Sequence, residues 1–138
     1  MSKIKVHFLG AAGTVTGSKY LIETESKKIL IDCGLFQGVK KIRQLNWEYL
    51  PIDVEEIDCV LLTHAHMDHC GLIPRMYKLG FKGPVICTKL PADFVRESLH
   101  DTVANVDSFD RELYEMKHVE AINFQCPDEK ENFQLGFG

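Results

Sequence analysis

The 138-residue chain has no C-x-x-C pair, and its five cysteines, Cys33, Cys59, Cys70, Cys87 and Cys126, are odd in number. That excludes a closed disulfide framework and a zinc ribbon, and the cysteines read as reduced, mostly buried thiols. No apolar run approaches the roughly 18 residues that a membrane span needs, and Met1 to Gly10 lacks the charged-then-apolar pattern of a secretory leader. A cytoplasmic protein without a membrane partner is the expectation. Positive charge is not in excess either: the formal net charge is −4, so no general attraction draws a polyanion to the surface. A polyanionic partner would need local help, and bound divalent metals would supply it. Internal repeats and low-complexity segments are absent. The remainder, 45% hydrophobic and 26% charged residues, is ordinary globular composition for one domain.

Along the chain, Ile4 to Leu9 alternates apolar and polar residues as a half-buried strand does and runs into the tight Gly10-Ala11-Ala12-Gly13 loop. Ser18 to Thr24 and Lys28 to Cys33 read as two strands of a hairpin around Glu25-Ser26-Lys27. Residues 35 to 57 give no pattern. Asp58 to Leu62 is a strand with apolar cover expected on both faces, and it feeds Thr63-His64-Ala65-His66-Met67-Asp68-His69. Leu72, Ile73, Met76 and Leu79 recur at helical spacing, with Gly80 placed to end the helix. Val85 to Cys87 is a short strand. Val95, Leu99 and Val103 predict a helix after Pro91, and Phe109, Leu113, Met116 and Val119 predict another. A last strand begins near Phe133. Strands that come first and then mix with helices place the chain in the α/β class.

The chemistry concentrates at His64, His66, Asp68 and His69. His64 and His66 stand two apart at the end of an extended segment, so their side chains leave the backbone on one side and converge. Asp68 and His69 follow where the chain turns, and point back from another direction. Imidazole and carboxylate donors suit zinc and its transition-series neighbours better than calcium or magnesium. The competing readings are surface histidines clustered by accident, or an Asp68 that only caps the next helix. Asp32, at the end of a different strand, either orients this site or forms a turn with the backbone near Gly34. The Gly13 to Ser18 loop, with Thr16, Gly17 and Ser18, has the freedom and hydroxyls to lie beside a substrate phosphate, although it lacks the Gly-Lys-Ser/Thr ending of a P-loop. His7 is expected to face away from the core, His100 and His118 to be solvated or capping, and Phe36 and Trp47 to pack in the interior.

These residues resemble a known family. Thr63 to His69 is similar to the H-x-H-x-D-H motif of the metallo-β-lactamase superfamily, and Leu30-Ile31-Asp32-Cys33-Gly34 to its first motif. The loop Gly10 to Ser18, with Tyr20 to Glu23, Leu35-Phe36-Gln37-Gly38, Gly71 to Pro74 and Phe81 to Pro84, resembles the β-CASP branch of RNA-processing nucleases. The resemblance implies a partial αββα-type fold, a mixed sheet with flanking helices. It implies that His64 and His66 hold one zinc, that Asp68 and His69 hold a second, that Asp68 also positions or deprotonates the attacking water, and that Asp32 fixes the metal loop from behind. Two metals roughly 4 Å apart generate hydroxide near neutral pH and stabilise charge on a phosphodiester, which suits RNA cleavage.

The family's later histidine and aspartate motifs and its β-CASP insertion have no counterpart in the chain. Residues 1–138 therefore resemble the N-terminal portion of the lactamase-like domain, and the chain is expected to hold one zinc or none and to be inactive by itself. Two alternatives stand beside this: a hydrolase of the same superfamily acting on a small thioester or lactam, and a non-catalytic remnant that binds a partner or completes its fold as a homo-oligomer through open sheet edges.

Overall fold

The computed structural model describes residues 3–48, 53–105 and 112–128. Three strands open the chain: β1 (Lys5–Gly10), β2 (Lys19–Glu23) and β3 (Lys28–Ile31). They form an antiparallel meander, with Glu23 opposite Lys28 at the tight connection that the polar 25–27 segment predicts. β4 (Cys59–Leu61), β5 (Val85–Ile86) and β6 (Phe124–Gln125) then add to β3 in parallel, giving a mixed sheet of order β1-β2-β3-β4-β5-β6. Between the strands lie α1 (Lys40–Arg43), α2 (Met67–Cys70), α3 (Ile73–Lys78), α4 (Lys89–Asn105) and α5 (Met116–Glu120).

Leu21, Leu30, Val60 and Val85 are register partners across β2 to β5, and each is fully buried. Strand periodicity puts all four on one face of the sheet. Ile73 and Met76 of α3, Val95 and Leu99 of α4 and Val119 of α5 join them in one core. Ile73 is fully buried, so Ile73→Val should cost about 1 kcal/mol through one lost methyl group, read as a lower denaturant midpoint at unchanged slope.

The opposite face carries Ile22, Ile29, Ile31, Cys59, Leu61 and Ile86 as a smaller apolar cluster. The described helices cover only the first face. In β4, Val60 is buried on the first face and Cys59 on the second, as the expected cover on both sides requires, with Leu61 half-buried. His7 departs from expectation. Val6 and Phe8 are the exposed apolar residues of β1, at 50% and 69%, while His7 shares the inward side with Leu9 and bonds Glu23 at 3.0 Å. An edge strand whose outer face lacks a covering layer shows its apolar side chains to solvent, and alternation then turns the polar one inward.

Three more differences follow from local physics. α4 begins at Lys89 and carries Pro91 in its first turn, where proline's missing N–H is no loss. The helix expected from Phe109 to Val119 is the single turn α5, with Leu113 buried ahead of it and Phe109 outside the described residues. β6 was not visible as a strand, and the strand expected near Phe133 also lies outside the described residues. Among the described residues no helix is long and apolar enough to cross a membrane.

Candidate metal centre

Parallel strands β3 and β4 end at the same edge, and the segments that leave them carry the candidate ligands. Asp32 is the first residue past β3. Its φ of 60° lies in the left-handed region, which an aspartate tolerates better than most residues, and its side chain is 2% exposed. Both carboxylate oxygens are engaged: Oδ1 accepts from the Thr63 backbone N–H at 2.8 Å, and Oδ2 accepts from Thr63 Oγ1 at 2.7 Å and from His69 Nδ1 at 2.7 Å. These partners lie across the site, not in the backbone beside Gly34.

This network assigns the protons on two histidines. An ionised carboxylate only accepts, so His69 donates from Nδ1, and in the neutral imidazole Nε2 is then the nitrogen that carries the lone pair. Thr63 has one hydroxyl proton and gives it to Asp32. Toward His64 Nδ1, 2.9 Å away, the hydroxyl therefore accepts, which puts the His64 proton on Nδ1 and frees Nε2 as well. One buried carboxylate thus sets two imidazoles in the tautomer that a metal needs.

The imidazoles are close together. The His64 and His69 rings are 3.9 Å apart between centroids, and those of His64 and His66 are 4.8 Å apart. His69 Nε2 faces Asp68 Oδ2 at 3.6 Å. His66 is in extended conformation ahead of α2, whose single turn carries Asp68 and His69 back over the site. Ligand atoms of Asp32, His64 and His69 all fall within 4.8 Å of one another, a spacing that can hold a metal ion. Among the described residues His66 and Asp68 lie outside that group, and within it both Asp32 oxygens already accept hydrogen bonds. That donor set fits a metal of the zinc class.

The backbone beneath the site is fastened by long-range bonds. Ser18 N donates to Asp68 O at 2.9 Å, Cys33 N to His69 O at 2.9 Å, Leu35 N to Met67 O at 2.9 Å and Leu72 N to Cys33 O at 2.9 Å. Ser18 is itself buried, so its contribution is this main-chain support. Gly17, at φ 83°, packs against Phe36, and Thr16 Oγ1 accepts from Gln37 N at 2.9 Å, which joins the glycine loop to the segment after Gly34. Val15 at the loop tip is 94% exposed.

Two residues with roles here were not singled out from the sequence. Thr63 holds Asp32 and His64, and its signal was its place directly before the first histidine. Lys19, 3% exposed, donates from Nζ to Gly34 O at 2.7 Å and to Gly17 O at 3.2 Å, over the Phe36 ring at 4.1 Å. Burial pushes its pKa down from the ordinary lysine value. Alternation in β2, which sets Lys19 on the same face as Leu21, was the available signal. Burial likewise raises the Cys33 thiol to about 11 and the Cys70 thiol to about 12, so neither is a nucleophile near neutral pH. His118 accepts from Glu115 N at 2.9 Å as a helix cap, and His100 is exposed, as expected of both.

Comparison with known proteins agrees with this geometry. Residues 12–121 match the Metallo-beta-lactamase superfamily. The chain is 40% identical over 98 residues to Ribonuclease TTHA0252 of Thermus thermophilus, which covers 71% of the chain and 22% of that protein. It is 37% identical over 92 residues to Transcription termination factor FttA of Methanocaldococcus jannaschii, covering 67% and 14%, and 33% identical over 131 residues to Cleavage and polyadenylation specificity factor 73 of Drosophila melanogaster, covering 88% and 19%. The chain thus spans less than a quarter of the length of each of these relatives. Among solved structures, a metallo-beta-lactamase from Cronobacter sakazakii altered in its HARLDQ motif superposes with a TM-score of 0.51 at 30% identity, over 68% of this chain and 35% of that one. A subclass B3 metallo-beta-lactamase from a soil metagenome library shares the fold at a TM-score of 0.57 and 22% identity, over 95% and 46%. On the family match over most of its length and on these relatives, the chain belongs to the metallo-β-lactamase superfamily, among the β-CASP proteins.

Proposed function

We propose that this chain forms the front part of the lactamase-like domain of a metal-dependent β-CASP ribonuclease, with His64, His66, Asp68 and His69 as ligands for zinc. The observation that carries the reading is the convergence of three imidazoles and the Asp68 carboxylate above a buried Asp32 that is hydrogen-bonded to Thr63 and His69. A bound metal of this class would lower the pKa of a coordinated water and offset charge on a phosphodiester. The residues of the chain would hold and orient it: Asp32 and Thr63 from behind, Asp68 beside the attacking water, and the exposed tip of the Gly13 to Thr16 loop against the RNA backbone. The names of the matched relatives support RNA as the substrate over a small lactam or thioester. Buried thiols without a disulfide support a cytoplasmic setting.

We assign the remaining ligands to sequence beyond this segment, so the chain by itself would hold a single zinc and would not cleave RNA. The exposed apolar side chains of β1, Val6 and Phe8, support that assignment, since the rest of the domain or a second copy would pack there.

Zinc titration tests the site. At a free concentration of a hundred times Kd, bound zinc should stabilise the fold by about 2.7 kcal/mol, seen as an upward thermal shift. His64→Ala and His69→Ala should each abolish the shift; His64→Ala should leave the metal-free midpoint nearly unchanged, whereas His69→Ala should lower it through the hydrogen bond lost from Asp32. A wild-type chain indifferent to zinc, manganese and iron alike would overturn the assignment. Cleavage of an end-labelled single-stranded RNA by the isolated chain would instead overturn its incompleteness.

A further inference from the structure

The sheet brings a second reactive pair to the edge that carries the histidines. β5 and β6 pair in parallel with Val85 opposite Phe124 and Ile86 opposite Gln125, so the next residues in register are Cys87 and Cys126. The bond from Cys87 N to Gln125 O, 3.2 Å, continues the ladder to that point. Neighbouring strands lie about 4.8 Å apart, inside the roughly 4.4–6.8 Å range of Cα separations that a disulfide bridges. We propose that Cys87 and Cys126 form a reversible thiol–disulfide site, closed by peroxide and reopened by cellular thiols.

The pair differs from the other cysteines in access. Cys33, Cys59, Cys70 and Cys87 are buried, whereas Cys126 is exposed, so Cys87 is the buried thiol whose register partner meets solvent. Arg96 of α4 sits against the same strand, its guanidinium 4.6 Å from the centre of the Phe124 ring, and its charge favours the thiolate of Cys87. Cys126 is the sulfur that peroxide reaches first because it is exposed, and Cys87, buried and with its thiol pushed up to about 12 by desolvation, is the resolving one.

The chemistry balances in two steps. The Cys126 thiolate attacks one oxygen of hydrogen peroxide, the O–O bond breaks, and Cys126 sulfenic acid and hydroxide leave, the latter taking up the thiol proton as water. The Cys87 sulfur then attacks the sulfenyl sulfur, losing its proton as the S–O bond breaks and a second water departs. Peroxide is the oxidant and the two thiols are the reductant. β5 and β6 pair over only two positions, so a covalent tie at their ends fastens one of the two shortest strand pairings in the sheet. The site needs no metal and stands independently of the ribonuclease reading.

Treating the full chain with hydrogen peroxide, then counting thiols with maleimide after denaturation, reads the pair directly. The expected result is loss of two of the five thiols, recovery of both with dithiothreitol, and a cross-linked peptide pair containing Cys87 and Cys126. Oxidised chain should unfold at a higher denaturant concentration than reduced chain. In Cys126→Ser, an exposed and conservative change, all remaining thiols should survive the same treatment and the shift should vanish. Retention of all five thiols, a cross-link through Cys70 instead, or Cys126 oxidised to sulfinic acid with Cys87 untouched would each overturn the proposal.

Discussion

Replacing Asp32 by alanine should destabilise the chain by about 4 kcal/mol and remove detectable zinc binding, while asparagine at the same place should spare most of the stability and still lose the metal. The alanine loss has two sources. Three hydrogen bonds to a charged acceptor disappear at a position 2% exposed, and each such bond contributes roughly 1.5–3 kcal/mol, reduced here because water reaches Thr63 and His69. Alanine must also take up a φ of 60°, which costs about 1–2 kcal/mol that aspartate and asparagine largely avoid.

Asparagine separates stability from tautomer. Its carbonyl can still accept from Thr63 N, but the amide N–H₂ now faces His69 Nδ1 as a donor. His69 must then accept at Nδ1 and move its proton to Nε2, the nitrogen that faces Asp68. Metal affinity should fall at least 10–100-fold, the usual cost of losing a partner behind a ligand. Urea denaturation with and without zinc, paired with the NMR shifts of the His69 ring nitrogens, checks both arms. An Asp32→Asn chain that bound zinc as tightly as wild type would show that Asp32 does not govern the tautomer.

This site was legible where its information is local. Spacing alone sends His64 and His66 to one side of an extended segment, and the hairpin of β2 and β3 is written in a polar tripeptide between two apolar runs. Features set by partners distant in sequence were not legible. Asn46 is 2% exposed because its side chain accepts from Phe36 N at 2.7 Å and donates to Phe36 O at 2.9 Å, and the surrounding turns are too short to show a period. β6 is two residues long and exists through its ladder with β5. The inward turn of His7 depends on which face of the sheet is covered, a property of the layers above it rather than of the Val6-His7-Phe8 pattern. Sequence left open whether Asp32 makes a turn or orients the site. The choice depends on Thr63 and His69 arriving from another strand end, and only the parallel pairing of β3 with β4 brings them there.

Gly34→Ala should have an effect of comparable size for a different reason. A Cβ at Gly34 would stand 1.6 Å from Asp68 O, 2.2 Å from Asp68 C and 2.8 Å from His69 N, all backbone atoms that no side-chain rotation can move. Relief requires the turn carrying two candidate ligands to lift away from the β3 end. That turn is fixed by the bonds from Ser18 N to Asp68 O, Cys33 N to His69 O and Leu35 N to Met67 O, so lifting it sacrifices several of them together. The cost should reach at least the roughly 3 kcal/mol upper end of ordinary overpacking, and zinc-induced stabilisation should disappear in whatever fraction stays folded. Gly13→Ala is the matched control. Gly13 has φ 82° but nothing within 4 Å of an added Cβ, so it should lose only about 1 kcal/mol of backbone strain and keep its zinc response. Equal zinc-dependent thermal shifts in Gly34→Ala and Gly13→Ala would mean that the close approach of Gly34 to Asp68 is not what holds the metal turn in place.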